Sequence, residues 1–392
     1  MANTNGGYVL TRFAQEGLMY LMLALGMGSR VHRGYSRSAT EKGNTIQIPA
    51  PGDFEARDAP SDIQDIDARK VSLTLDQWKE VKFALSDKEL SDVNDAIIEE
   101  HVKPAAYALA KDINEKLTGL RRSIPWAVDW DTDEVLKSVL AARARLAQNG
   151  APITDGDVFA ALDSNAEADL LSQPFMHSNN VAGAAGTTPL TDGSLDRRFG
   201  VEFFQNYALP DHVSGTIVNG GDQAGALDGA AAKGATQITI DGLTDAQTVK
   251  AGDTFVIAGN EQRYAITADA VVAGNEITVP ISPQLKQAYA DNSVVTFDTA
   301  TGTNADAYAA NMVFHRHAFA LGTAPLESDE GSDQARRQGI EVETITDEEN
   351  GITIRAMMWY DPNSRKNIVA LDVLYGVAVL NPDLAVTVRR DA

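Results

Sequence analysis

The sequence predicts an α+β chain with an all-β module inserted in its second half. Two alternating apolar–polar stretches near the N-terminus are typical of strands, and a helical apolar spacing of about nine turns follows them. Between residues 213 and 303, short β-type runs alternate with turn residues, which predicts a small barrel or sandwich.

The composition narrows the range of functions. The 392 residues carry 33 Lys and Arg against 55 Asp and Glu, a net charge of −22. Since basic residues neutralise phosphates in nucleic-acid complexes, this charge disfavours binding to nucleic acid and to anionic membranes. The chain has no cysteine, which excludes disulfides, zinc–thiolate sites and thiol nucleophiles and leaves the redox compartment open.

The N-terminal segment predicts a docking helix. Its apolar run, Leu18–Met27, has only Arg12 as a preceding basic residue, and Glu16 interrupts the approach to it. No small-residue cleavage site follows, and the run is shorter than the ~20 residues that span a bilayer. The expected structure is a short amphipathic helix packed on another surface, and not a targeting signal.

A hairpin with an irregular tip is predicted next. Residues 44–50 and 70–83 alternate as strands do, with a phase shift after Leu75, and residues 51–69 between them are rich in Pro, Gly and Asp. An isolated two-stranded hairpin is marginal in water. This one must therefore lean on its own chain or on a neighbouring copy.

A long helix is predicted from Ser86 to about residue 120. Ser86 and Glu89 fit a capping box, and apolar residues recur at helical spacing as far as Leu120. Acidic residues crowd its start and basic residues its end, which complements the helix dipole. Pro104 lies inside this stretch and is expected to kink or split the helix.

Shorter elements follow the long helix. Residues 133–148 predict a helix, 157–171 a strand and then a helix, 172–200 a loop, and 201–210 a strand. Within the insert, the β-type runs occupy 236–240, 253–259, 262–267, 275–281 and 293–298. The insert carries four basic and ten acidic residues, a charge of −6. After it, strands are predicted at 340–346, 351–360, 367–380 and 384–388, the first two joined by a hairpin turn.

Several motifs suggest chemistry only superficially. Asp129–Asp133 resembles the start of a calcium loop, but Glu134 and Leu140 occupy positions where an EF-hand needs Gly and Glu. In 229–236, Lys233 precedes the glycine that it should follow in a phosphate-binding loop. The acidic clusters at 327–333 and 347–349 are interpreted as solvated loops.

His315 and His317 form the one H-x-H pair of the chain, within the apolar stretch 311–321. On a strand they would share a face, but a metal or catalytic pair also needs a third ligand and an orienting carboxylate, which no local pattern supplies. The favoured interpretation is scaffold, with no catalytic, cofactor-binding or metal residue assigned. A metal-dependent hydrolase that uses His315 and His317 remains an alternative.

The order of elements resembles the major capsid proteins of tailed phages, whose fold is shared with the floor of the herpesvirus capsid. Several stretches are similar to the branch with an inserted β-barrel domain: "GNTIQIPAP" (43–51), "KAGDTFVIAG" (250–259), "QAYADNSVV" (287–295), "NMVFHRHAFAL" (311–321) and "DVLYGVAVLNPDLAV" (372–386). His317 stands where the family stretch has an acidic residue. This leaves open whether one subunit contact is sensitive to pH near 6–7.

The resemblance implies a tailed-phage capsid fold. Its parts are an N-terminal arm (1–43), an E-loop hairpin (44–85), a spine helix of the P-domain (86–124), a central A-domain (125–212 and 304–337), an inserted β-barrel domain (213–303) and returning strands of the P- and A-domains (338–392).

The same resemblance implies a structural subunit and not an enzyme. Such a chain assembles with itself into pentamers and hexamers of an icosahedral head, in the bacterial cytoplasm, with scaffolding and portal proteins as partners. It encloses double-stranded DNA without sequence-specific binding, contacts no membrane and needs no cofactor. A β-rich surface or adhesion protein is the other alternative.

Overall fold

The computed structural model describes residues 5–34, 45–49, 58–59, 70–86, 98–174, 193, 195, 197–219, 224–298, 307–326, 340–347 and 351–391. The fold is mixed and rich in strands. The chain divides into two compact units. Unit 1 comprises Met1–Asn114 and Phe319–Leu380, and unit 2 comprises Glu115–Ala318 and Asn381–Ala392.

The helices of the described residues are α1 (Asn5–Ala24), α2 (Lys103–Gly119), α3 (Val135–Gln148), α4 (Ser164–Leu171) and the single turn α5 (Thr216–Asn219). A π-helical turn lies at Ile98–Val102, and 3₁₀ turns lie at Gly26–Ser29, Leu120–Ser123, Arg316–Ala318 and Pro382–Leu384. None of these helices is long and apolar enough to cross a membrane.

The strands in chain order are β1 (Thr45–Pro49), β2 (Lys70–Thr74), β3 (Gln77–Ser86), β4 (Ala127–Asp129), β5 (Val158–Leu162), β6 (Arg197–Arg198), β7 (Val201–Gln205), β8 (Asp211–Val213), β9 (Ala224–Leu227), β10 (Gln237–Asp241), β11 (Thr248–Val249), β12 (Thr254–Ile257), β13 (Arg263–Ile266), β14 (Ala270–Val271), β15 (Ile277–Ser282), β16 (Val294–Phe297), β17 (Ala307–His315), β18 (Phe319–Ala324), β19 (Glu341–Asp347), β20 (Ile352–Asp361), β21 (Lys366–Val379) and β22 (Ala385–Asp391).

Unit 1 is built on one sheet with the strand order β18-β21-β20-β19, and β3 also pairs with β21. Helix α1 packs on β19 and β20, and it buries Leu10, Phe13 and Leu21 almost completely. A Cβ placed on Gly17 would lie 3.6 Å from Leu371 of β21, so the helix approaches the sheet closely. The predicted docking helix is present, and it docks on its own chain.

The hairpin of unit 1 is shorter than predicted. Strands β1 and β2 pair antiparallel, with Thr45 opposite Thr74, and form a sheet of their own. The prediction included residues 77–85 in this hairpin, which is wrong, because β3 pairs with β21 over its whole length. The phase shift in the sequence is the break between the two strands. The tip at 51–69 lies outside the described residues, apart from 58–59.

The long helix is described from Ile98 onward. Ser86 of its predicted capping box ends β3, whereas Glu89 and the first turns fall outside the described residues. The π-helical turn comes directly before α2 and ends two residues before Pro104, whose ring cannot fit a regular α-helical ladder. Asn114 of α2 accepts a hydrogen bond at Oδ1 from the N–H of Met27, at 3.1 Å. This bond fixes the end of the N-terminal segment on the long helix.

Unit 2 contains a mixed sheet in the order β4-β22-β17-β5-β7-β6, and β8 pairs with one end of β17. Helices α3 and α4 cover it and share an apolar core with β5, β17 and β22. The predicted helix at 133–148 and the strand–helix pair at 157–171 are confirmed. Asp163 caps α4, because its carboxylate accepts hydrogen bonds from the N–H groups of Asn165 and Ala166.

The insert forms a closed six-stranded barrel in the order β10-β15-β13-β12-β16-β9. Each of the five predicted runs contributes one strand. The sixth strand, β9, was not predicted, because its sequence Ala-Gly-Ala-Leu has no β-branched or aromatic residue. Within the predicted loop at 172–200, residues 175–192 lie outside the described residues, as do the acidic cluster at 327–333 and residues 348–349.

Candidate functional site

His315 is a buried histidine with both ring nitrogens engaged. It ends β17 and is 1% exposed, whereas His317 lies in the following 3₁₀ turn and is exposed. Nε2 of His315 lies 2.8 Å from Oδ2 of Asp155, and Nδ1 accepts the backbone N–H of His317 at 3.3 Å. Because Nδ1 accepts this hydrogen bond, the ring proton lies on Nε2, and the imidazole donates it to the carboxylate of Asp155.

This arrangement positions a loop and leaves no lone pair of His315 for a metal. Burial acts to raise the pKa of Asp155, but the Asp157 N–H and His315 both donate to its carboxylate, and the pKa is lowered. Arg316 pairs with Asp157 at 3.2 Å and holds the same loop. In the part of the chain that the structure describes, no group of three His, Asp or Glu residues could hold a metal ion.

A second buried cluster joins the barrel to the rest of unit 2. His212 of β8 lies between Arg121 and Asp253, with Nδ1 at 3.4 Å from Nη2 of Arg121 and Nε2 at 3.0 Å from Oδ1 of Asp253. The other carboxylate oxygen of Asp253 accepts the N–H groups of Gly215 and Lys250. Three donors therefore engage both carboxylate oxygens of Asp253.

Desolvation shifts the pKa of Arg121 and that of the neighbouring Tyr308. Burial lowers the pKa of Arg121 and raises that of Tyr308, whose ring lies 5.0 Å from His212, to about 12. A cavity of about 10 Å³ lies among Arg121, Tyr308 and Arg389. This is the size of one water molecule, far below the ~300 Å³ of a typical ligand site.

A groove of about 430 Å³ runs along the outside of the barrel. Residues 229–232 and Ala235 line it, together with Thr239 and Thr278, and Asp228 is its one titratable lining residue. It has no nucleophile paired with a base and no basic group for a phosphate. The groove therefore has the volume of a ligand site, but its lining residues are not suited to catalysis or to phosphate binding.

Asp383 makes further contacts between the barrel and the rest of unit 2. Its carboxylate accepts from Nε1 of Trp126 at 3.1 Å and from Nζ of Lys286 in the barrel at 3.0 Å. The hydroxyl of Ser282 donates to the carbonyl of Ser123 at 2.9 Å. The barrel is thus attached to unit 2 by polar contacts at several points.

In unit 1, the β1–β2 hairpin rests on the sheet through a small apolar patch. Ile48 and Leu73 pack against Ala320 and Ala378, and Leu75 packs against Leu374. Trp78 lies beside this patch and is 60% exposed. Its indole N–H donates to Asp372 at 3.0 Å, and Asp372 is also paired with Arg355.

Sequence reasoning examined His315 and missed the residues that engage it. Asp155 lies 160 positions earlier, and Asp253 and Arg121 lie 41 and 91 positions from His212. The available signal was indirect: Asp155 and Asp157 precede a strand, and Asp253 precedes β12, but many acidic residues do so in a chain of this charge. Such pairings become visible only when the sheet brings distant segments together.

No protein-family model matches the chain, and no curated protein matches it. Among solved structures, a chain of Mycobacterium phage Che8 is similar over 91% of this chain and 88% of its own, with 14% identity and a TM-score of 0.48. A chain from the mature capsid of bacteriophage PhiM1 is similar over 92% and 86%, with 11% identity and a TM-score of 0.45. A chain from the capsid of the cyanophage P-SCSP1u is similar over 93% and 87%, with 10% identity and a TM-score of 0.44. Each of these similarities extends over about nine-tenths of this chain.

Proposed function

We propose that the chain is the major capsid protein of a tailed phage. The observation that carries the proposal is the order of elements along one chain: a docked N-terminal helix, a hairpin, a long helix, a sheet with covering helices, an inserted closed barrel and returning strands. This is the order that the sequence resemblance implies for the capsid family with an inserted barrel.

In this proposal the finer fold class is the tailed-phage capsid fold, with the domain boundaries given by the sequence. The N-terminal arm and the spine helix occupy 1–43 and 86–124. Of the E-loop predicted at 44–85, the hairpin comprises β1 and β2 and excludes β3, which pairs with β21. The A-domain takes 125–212 and 304–337, the inserted barrel 213–303, and the returning strands 338–392. The closed barrel, with its own apolar core, supports an inserted domain.

The physical chemistry of the surface supports a structural role. A net charge of −22 suits a shell that encloses DNA without binding its sequence, since packed DNA must not adhere to the wall. Head-to-tail contacts that close into rings would give pentamers and hexamers.

The wider biology follows from the same proposal. The subunit would assemble in the host cytoplasm, with scaffolding and portal proteins as partners, and would end in the virion capsid. It would need no cofactor and would catalyse no reaction. Metal analysis of the purified protein separates this role from a hydrolase, and export together with a monomeric state would favour a surface protein instead.

The test is deletion of the hairpin tip, residues 52–69. The purified wild-type chain should form megadalton particles by light scattering and shells by electron microscopy. The deletion variant should keep its circular dichroism spectrum and its cooperative melting, but should fail to form stable shells. Normal shells from the deletion variant, or a monomeric wild type under all assembly conditions, would contradict the proposal.

A further inference from the structure

Strand β3 is a long edge strand. All ten of its residues, Gln77–Ser86, lie opposite residues of β21 in one unbroken register without a bulge. On its other side, β3 makes no hydrogen bond to a further strand in the part of the chain that the structure describes. Alternate residues of a strand direct their N–H and C=O groups to opposite sides. About half of the backbone groups of β3 are therefore free to pair with another strand.

The features that usually protect an edge strand are missing from β3. Proteins block further pairing with proline, with bulges, or with charged side chains that extend past the edge. β3 has neither a proline nor a bulge, and its two lysines are held by groups of the same subunit. Nζ of Lys79 lies 3.3 Å from Asp112 of α2, and Nζ of Lys82 lies 2.8 Å from Glu80 and 5.8 Å from the ring of Trp359. Both lysines therefore lie over the faces of the sheet, away from its free edge.

An exposed but fixed tryptophan lies near one end of this edge. Trp78 is 60% exposed, yet its indole N–H donates to Asp372 at 3.0 Å, and the guanidinium of Arg355 lies 6.0 Å from its ring. Arg355 and Asp372 also pair with each other, so the sheet beneath the ring is neutral. Ala84, six residues later on the same face, is small and exposed. Tryptophan is typical of the residues that dominate binding at protein interfaces.

We propose that β3 of one subunit pairs antiparallel with β3 of a second copy of this chain, in a register centred on Val81. Each residue then lies opposite the residue at the same distance on the other side of Val81. Glu80 of each copy faces Lys82 of the other, and Trp78 of each faces Ala84. Opposite charges, and a large side chain opposite a small one, stabilise neighbouring strands. The free backbone groups of both edges are hydrogen-bonded by the same contact.

The charges of β3 select this register among the symmetric ones. Directly opposite residues of an antiparallel pair point to the same face, so a twofold axis must pass between two copies of one residue. The charged residues of β3 are Lys79, Glu80 and Lys82, and centring the pair on any of them places like charges opposite each other. Centring it on Phe83 pairs no opposite charges and shortens the overlap to seven residues. Val81 alone pairs opposite charges, and the overlap is nine residues. The sequence of β3 is therefore complementary to itself, which favours a second copy as the partner.

The proposed contact is isologous, because both copies use the same strand. Such a contact joins two subunits around a twofold axis and cannot by itself close a ring of five or six. It would therefore link subunits of neighbouring rings, whereas head-to-tail contacts close each ring. This inference rests on the proposed self-assembly and assigns one of its contacts.

The absence of cysteine from the chain permits a direct test. In the proposed register Val81 lies opposite its own counterpart, with the two Cα atoms about 4.5–5.5 Å apart, which is within the range of a disulfide. Val81→Cys should therefore give disulfide-linked dimers when it is oxidised mildly with copper phenanthroline during assembly. Ala84→Cys is the matched control, because Ala84 is exposed on the same strand and its counterpart would lie about 20 Å away. This control should give no dimer above background.

An exchange of charges tests the register without cysteine. Glu80→Lys alone would place a lysine opposite Lys82 twice in each pair, and Lys82→Glu alone would place a glutamate opposite Glu80 twice. Each variant alone should therefore have a critical concentration for assembly about tenfold higher than that of the wild type. In an equimolar mixture, positions 80 and 82 of the two variants meet with opposite charges, so part of the assembly should return. Both variants should melt close to the wild type, because the pair that each one breaks within the subunit is partly exposed.

The outcomes distinguish this inference from the proposed function. If the wild type forms shells but Val81→Cys gives no more dimer than Ala84→Cys, the contact is wrong and the function stands. A mixture of the charge variants that assembles no better than its components would overturn the inference in the same way, and this result decides if Val81→Cys is unfolded by circular dichroism. If the wild type forms no particles but Val81→Cys dimerises in solution, the contact stands and the proposed function fails.

Discussion

The barrel and the β1–β2 hairpin solve the same problem in opposite ways. Each is a small antiparallel structure whose apolar side chains must be buried against a second layer. The barrel closes on itself and buries Phe255, Tyr264 and Val279 completely among its own strands. The hairpin buries Ile48 and Leu73 only because Ala320 and Ala378 lie beneath them, about 250 to 330 residues later in the chain.

The difference shows which parts of a structure can be understood locally. A closed barrel has neither free edges nor an exposed apolar face, so its stability depends on residues within one continuous segment. The hairpin depends on distant strands, and changes in those strands act on it directly. The predictions below test this contrast, beginning with the largest expected effect.

The largest effect is expected from Phe255→Ala in the barrel. Phe255 is fully buried and packs against Tyr264 and Phe297, so its truncation should cost about 3–5 kcal/mol of unfolding free energy. Chemical denaturation of the variant should show early loss of the barrel. The excised segment 213–303 should fold on its own by NMR, and the same substitution should unfold it. An excised wild-type segment without dispersed resonances would contradict the self-sufficiency of the barrel.

Gly376→Ala should act on the hairpin from a distance. A Cβ at this position of β21 would lie 2.1 Å from the carbonyl oxygen of Thr74, so β21 or the end of β2 must move. The expected cost is at the upper end of the ~1–3 kcal/mol typical of overpacked sites. Hydrogen exchange should show faster exchange in β1 and β2, with the barrel unchanged.

Gly119→Ala is the matched control for Gly376→Ala, because nothing lies within 4 Å of a Cβ at Gly119 and its φ is −60°. The rates of hydrogen exchange in β1 and β2 of this variant should equal those of the wild type. Equal protection of β1 and β2 from hydrogen exchange in the wild type and in both variants would show that the hairpin does not depend on its close contact with Gly376.

These two regions also show which strands and contacts can be predicted from the sequence. The barrel strands were predicted because alternation and turn residues are local, and only β9 escaped, since Ala and Gly carry no strand signal. The position of β3 was wrong because alternation shows that a strand exists and not which strand it pairs with. The pairs His315–Asp155 and His212–Asp253 join distant segments, and in a sequence with 55 acidic residues nothing marks the partner.

Asp383→Ala should weaken the attachment of the barrel to the rest of unit 2 and leave the barrel itself folded. It therefore tests directly whether the barrel is stable without outside contacts. The substitution removes the acceptor for Trp126 and Lys286, and the loss of two hydrogen bonds to a carboxylate is expected to cost about 1–2 kcal/mol. Resonances of the barrel core should keep their positions in NMR spectra, while those of residues near Trp126 shift. Loss of the barrel resonances would mean that the barrel needs its contacts with the rest of unit 2.

The smallest effect is expected for Asp155→Asn, because the carboxylate that pairs with His315 is partly exposed to solvent. The carboxylate of Asp155 accepts from the Asp157 N–H and from His315, and its pKa lies below the usual 3.8. A carboxyl group whose pKa is lower in the folded state contributes stability above the pKa of the unfolded chain, and this contribution is lost as the pH falls through the folded value. The melting temperature of the wild type should therefore exceed that of Asp155→Asn between pH 5 and 7, by about one to two degrees. The gap should narrow below pH 4.

Glu261→Gln, which neutralises an exposed carboxylate in the barrel, provides the comparison for Asp155→Asn. It should track the wild type across the same pH range. The side chain of Asp155 is 37% exposed, so solvent screens its pairing with His315 and the expected gap is small. If the gap between wild type and Asp155→Asn stayed constant down to pH 3, the stabilising species would not be the ionised carboxylate. The contact with buried His315 would then act through packing alone, as the apolar contacts beneath the hairpin do.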